Sequence, residues 1–141
     1  MSMTPALDHG SALRLSYARS RLAEIDRMRQ VYLASLDGMS QREIAHFAHV
    51  SQPSVHRLIA RARALGAERE SLEEIVLRRF VEDSSPDEMI ERLIHFENWV
   101  PRVIDPVDGL LDEDSQQELE ELVEDGFISE EEIDRVLDAR G

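Results

Sequence analysis

The chain has no cysteine and no lysine, and only 5% of its 141 residues are aromatic. Without cysteine there can be no disulfide and no thiolate metal site, although this alone does not fix a compartment. No apolar run approaches the ~20 residues that cross a bilayer, so a membrane role is not expected. The opening residues, MSMTPALDHG, show no basic stretch followed by an apolar core. No secretory signal is read there, and the cytoplasm is the expected location. No nucleophile–base set, phosphate-binding loop or paired-carboxylate signature stands out, so neither an enzyme nor a cofactor is expected.

What is present is charge, unevenly distributed. Hydrophobic residues make up 42% and charged residues 33%, the composition of an ordered, water-soluble chain. The net charge of -14 conceals two halves. Residues 1–65 hold nine Arg and five acids, a balance of +4, whereas residues 66–141 hold seven Arg and twenty-five acids, a balance of -18. A basic half can meet phosphate, and so acidic a half is repelled by it. Two domains are therefore expected, at 1–66 and 67–141, with different tasks.

The expected fold class is all-α, because apolar residues recur at three and four and no stretch alternates as a strand does. Leu15, Ala18, Leu22, Ile25, Met28, Tyr32 and Leu36 form one stripe over residues 12–36, which Asp37-Gly38 stops. Ser-x-x-Glu, the pattern of a capping box, occurs at Ser40/Glu43, Ser71/Glu74, Ser85/Glu88, Ser115/Glu118 and Ser129/Glu132. Each precedes apolar residues at helical spacing. The spacing predicts helices near 71–82, 86–98, 116–125 and 130–139, with Pro86 in a first turn. Residues 99–114 hold Pro101, Pro106 and Gly109 and read as a connector. Its apolar members Trp99, Val100, Val103, Ile104, Val107, Leu110 and Leu111 suggest that it is packed down.

Residues 41–60, QREIAHFAHVSQPSVHRLIA, carry the most specific pattern. A small residue, Ala45, follows Ile44 in a first helix. Val50 closes a tight turn, and Val55 and Leu58 anchor a second helix, whose buried face Ile59 and Ala62 continue. Met39 with Ile44, and Val50 with Val55, flank the caps Ser40 and Ser51 as hydrophobic staples. Pro53 sits in a first turn, where its missing amide hydrogen costs nothing.

This segment resembles the helix-turn-helix family of bacterial and phage regulators over about 20 residues, or about 50 with the preceding helix. The family usually carries Gly in the turn where this chain has His49, so His49 must adopt a left-handed backbone or open the turn. The resemblance implies double-stranded DNA as a partner, with the second helix in the major groove. Ser54, Arg57 and Arg61 share the face opposite Val55 and Leu58, and Gln52 stands at the tip. Gln suits adenine and Arg suits guanine. Arg42, Ser40, Ser51 and His56 suit phosphate. A homodimer on paired half-sites is expected, because one motif covers little DNA.

Other patterns carry less. His46, His49 and His56 cluster, but no third supported ligand completes a zinc site, and no metal is expected. Asp112-Glu113-Asp114 opens like a calcium loop, yet its sixth place, where glycine is needed, is Gln117.

The overall layout looks like an antitoxin of a toxin–antitoxin pair: a DNA-reading module followed by an acidic segment that neutralises a basic protein. The residues expected to meet that partner are Leu119, Leu122, Val123, Ile133, Val136 and Leu137. Helices of about ten residues are marginal in water, so residues 112–141 are expected to become ordered on the partner. A phage-type repressor, a small DNA-packaging subunit or an acidic module mimicking nucleic acid shares these features.

Overall fold

The computed structural model describes residues 8–107, 109–110 and 114–141. Among them are seven helices: α1 (His9–Leu36), α2 (Gln41–Ala48), α3 (Gln52–Leu65), α4 (Leu72–Glu82), α5 (Pro86–Ile94), α6 (Ser115–Glu124) and α7 (Glu130–Arg140). The two remaining elements, β1 (Ile104–Asp105) and β2 (Gly109–Leu110), pair antiparallel with Ile104 opposite Leu110. The protein is all-α apart from this minimal ribbon. No described helix is long and apolar enough to cross a membrane.

Two compact units emerge. One is Ser20–Ser71; the other joins the described residues up to Arg19 with those of 72–141. The division expected at 66/67 thus falls at 71/72, and the start of α1 groups with the acidic helices.

In the unit of residues 20–71, Val31, Ile44, Ala45, Val55 and Ile59 make one buried cluster, with Ala34, Ala48, Val50 and Leu58 packed against it. Met28, Ala62 and Ala67 make a second, flanked by Tyr32 and Leu58. Leu36, expected on the buried stripe, is instead 58% exposed. It lies in the last turn of α1, beyond Ala34, the last α1 residue to reach the cluster. Arg29 donates to the carbonyls of Ala67 (2.6 Å) and Arg69 (3.0 Å), holding the chain that leaves α3.

In the other unit, α4 packs on α5 and α6, and α7 packs on the same two helices. The interior is made by Leu72, Ile75, Val76 and Leu77 from α4, Met89, Ile90 and Leu93 from α5, and their counterparts on α6 and α7. Phe127, between α6 and α7, meets Phe80 edge-on at 4.9 Å and stacks on Tyr17 at 5.7 Å. The acidic tail is therefore a structural part of this unit. Leu119, Leu122, Ile133 and Val136, expected to meet a partner, are buried, and Val123 and Leu137 are half-buried. An amphipathic stripe looks the same whether it faces a partner or the chain's own core.

Five helices end alike. At Gly38, His49, Gly66, Asp83 and Gly126 the backbone turns left-handed, with φ of 93°, 57°, 63°, 50° and 84°. The next amide then bonds back five residues, from Met39 to Ala34, Val50 to Ala45, Ala67 to Ala62, Ser84 to Arg79 and Phe127 to Leu122. This closure satisfies a carbonyl that the end of the helix would leave without a partner. At Gly126 an added Cβ would lie 2.8 Å from Arg14 Nε, whose guanidinium donates to the Asp125 carbonyl at 3.2 Å. No larger residue fits there without moving Arg14.

α5 ends at Ile94, not near 98. Arg140, from α7, donates through Nη1 to the carbonyls of Leu93, Ile94 and Phe96 and lies 4.2 Å from the centroid of the Trp99 ring. A guanidinium at the negative end of a helix satisfies carbonyls that another helical turn would otherwise have used.

The connector also departs from expectation. Val100, Val103, Ile104 and Val107 are exposed rather than packed down. Its ends are closed: Val100 N donates to Ser115 Oγ at 2.7 Å, and Ser115 N donates to the Val100 carbonyl at 3.0 Å. Among the described residues between them, β1 and β2 pair with each other and not with a helix. Leu111, Asp112 and Glu113 fall outside the described residues.

Candidate nucleic-acid interface

The residues singled out as DNA-facing lie on α2 and α3, which are joined by the three residues His49, Val50 and Ser51. Each helix starts on a serine. Ser40 Oγ accepts from Glu43 N at 3.2 Å while Glu43 Oε1 takes the Ser40 amide, a reciprocal capping box. Ser51 Oγ accepts from Ser54 N at 3.2 Å, and Pro53 occupies the first turn. The turn between them is left-handed at His49, so the histidine keeps the geometry that glycine would supply at less cost.

These constraints fix what points inward. Ile44, Ala45, Val55 and Ile59 are buried together, in one cluster with Val31 of α1. The opposite faces carry charge. Residues 41–65 hold four Arg and one Glu, a balance of +3, together with His46, His49 and His56. Arg42, Gln52, His56, Arg57 and Arg61 are exposed, and Ser54 is half-buried.

Ser51, Ser54 and Arg57 are brought into one hydrogen-bonded chain. The two serine hydroxyls lie 2.8 Å apart, and Arg57 Nη2 donates to Ser54 Oγ at 3.1 Å. This holds the guanidinium beside the first turn of α3. Arg61 does not join it; its Nη1 lies 3.6 Å from Oε1 of Glu24 on α1. That pair is open to water, and exposed pairs are worth only about 0.2–1 kcal/mol, so a stronger anion can displace it. Sequence reasoning missed Glu24, because its proximity to Arg61 depends on how α1 and α3 pack. Arg42 lies on α2, and the Ser40 hydroxyl is engaged with Glu43, at 2.9 Å from Oε1.

A face of this kind offers guanidinium, amide and hydroxyl donors with little opposing charge. No family model matches the chain, and no curated protein or solved structure matches it either.

Proposed function

We propose that the protein is a sequence-specific DNA-binding transcriptional regulator that reads double-stranded DNA through α3, with residues 41–60 acting as a helix-turn-helix. The observation that carries this reading is the arrangement of α2 and α3. A three-residue turn with a left-handed His49 joins them, Ala45 and Val55 are buried in one cluster with Val31 of α1, and the arginines of α3 are exposed. Arg57 is the base-reading candidate, with Gln52 and Ser54 beside it and Arg42 and Arg61 suited to phosphate. A homodimer on paired half-sites would supply the affinity that a single module lacks.

The acidic unit is the protein-facing half, because a charge of -18 over residues 66–141 opposes contact with phosphate. This is the layout of an autoregulating antitoxin. Burial of Leu119, Leu122, Ile133 and Val136 supports a prefolded partner surface over a tail that folds on its target.

The test is binding of the full chain to its own upstream DNA in a low-salt gel shift. Affinity should fall linearly on a log–log plot against salt, as counterion release requires. Arg57→Ala should reduce the preference for that DNA over random sequence by about 1–3 kcal/mol, the worth of one bidentate base contact. A chain that binds neither DNA at low salt sinks the reading.

A further inference from the structure

We propose that the β1–β2 hairpin, through Val103, Ile104 and Val107, is the docking surface for a cationic protein. The inference rests on the protein-facing reading of the acidic unit, and it does not depend on DNA binding by α3.

Three observations converge on the hairpin. The first is where the apolar surface lies. Thirteen apolar side chains of residues 72–141 are buried, whereas every large hydrophobic exposed among the described residues of that stretch falls between Val100 and Val107. Val103 is 56% exposed, Ile104 68% and Val107 90%. Single exposed apolar residues need no explanation, but three within five consecutive residues point to an interaction site.

The second is that the base of the hairpin is built. Beside the Val100–Ser115 pair, Arg102 grips the Asp114 carboxylate with Nε at 3.0 Å and Nη2 at 3.4 Å, and reaches Glu120 with the same Nη2. Asp114 is itself the N-cap of α6, accepting from Gln117 N at 2.7 Å. The residues leading into the hairpin are thus tied to the start of α6, and an ordered anchor lowers the ordering cost of binding.

The third is charge, and it selects the occupant. Residues 97–114 hold six acids against the single Arg102, which is paired to Asp114 and Glu120. Nucleic acid and anionic lipid surfaces are repelled by such a segment, and a second copy of the same unit carries the same charge. A protein offering an apolar groove rimmed by Arg or Lys meets both the valines and the carboxylates.

The experiment places photoreactive p-benzoylphenylalanine at position 107, and separately at exposed position 138 on α7, in the full chain expressed in its native cells. The expected result is one adduct at 107, absent at 138, to a protein rich in Arg and Lys, and lost in about 0.5 M salt, where the Debye length falls below ~5 Å. The partner so identified, purified, should bind the V103S/V107S double variant at least about tenfold more weakly, with the variant's melting temperature unchanged because both side chains already face water. An adduct to a second copy, or undiminished binding by the double variant, overturns the proposal. An adduct at 138 alone overturns this surface while leaving the protein-facing reading intact. No adduct at either position removes both, and DNA binding in the gel shift is judged separately.

Discussion

Residues 20–71 and 72–141 divide the same cation differently between the chain's own acceptors and water. In the first unit Arg42, Arg57, Arg61 and Arg63 stand in water on α2 and α3. In the second, Arg102 and Arg140 are turned onto the chain itself, one onto the Asp114 carboxylate and the other onto the carbonyls that end α5. What decides the role is the company. Where carboxylates outnumber guanidinium groups by more than three to one, as in residues 66–141, each arginine finds an internal acceptor. In residues 20–71 the uses are mixed: Arg29 is turned onto the Ala67 and Arg69 carbonyls, while the arginines of α2 and α3 are exposed. An arginine is thus a staple throughout the acidic unit and either a staple or an exposed cation in the other, with no difference in residue type to announce it.

The sharpest way to break this contrast is through the acidic core. Leu119 is fully buried, and Leu119→Ala should destabilise the full chain by about 2–5 kcal/mol in urea unfolding, the cost of removing a core leucine. A loss below about 0.5 kcal/mol would return α6 to the status of an appendage awaiting a partner.

The acid limb of stability sharpens it next. Hydrogen bonds from Arg102 hold the Asp114 carboxyl below the usual carboxylate range, with the Gln117 amide helping and burial opposing. A folded-state value below the unfolded one means that the stabilisation is fully present above about pH 4 and disappears as pH falls through the lower, folded-state value. Melting temperature measured from pH 6 down to pH 2 should therefore drop less steeply for Asp114→Asn, which begins less stable at pH 6. Parallel curves for the two proteins would refute the assignment.

The smallest effect belongs to the basic unit. His49→Gly relieves a left-handed residue that carries a Cβ, at a site already shaped for glycine, and should stabilise by roughly 0.5–1 kcal/mol after the added freedom of the unfolded chain is counted. Thermal melting reads this directly, and DNA affinity should not move. Destabilisation would mean that the histidine side chain makes a contribution of its own.

These outcomes bear on how far the sequence could be read. Helix existence was legible throughout, because periodic apolar residues report a buried face. The capping boxes at Ser40 and Ser129 form with both halves in place. Others were displaced by local competition. Ser85 caps α5 by accepting from Asp87 N, and α6 takes Asp114 one residue earlier, which leaves Ser115 to bond Val100. Glu74, read as part of a box with Ser71, is 2% exposed and pairs with Arg78 one turn on. The connector was misread because apolar content implies burial only when the backbone can lie on the core. Here Val100 and Ser115 pair with each other, and Val103, Ile104 and Val107 are exposed. The burial of Ile44, Ala45, Val55 and Ile59 was legible, because small and branched residues recur there at helical spacing. The Arg61–Glu24 contact was not, since its partners are 37 positions apart in the numbering.

The repeated helix ending has a practical consequence for anyone rewriting α3. Each stop depends on one left-handed residue and one bond back along the same helix, so Gly66 and the Ala67–Ala62 bond hold the end of α3 without help from its outward residues. Positions 52, 57 and 61 can then be randomised as a library while the length and rotational setting of the helix stay fixed. The module becomes a chassis with interchangeable lettering, and selection from such a library against chosen DNA would test the proposed reading role one position at a time.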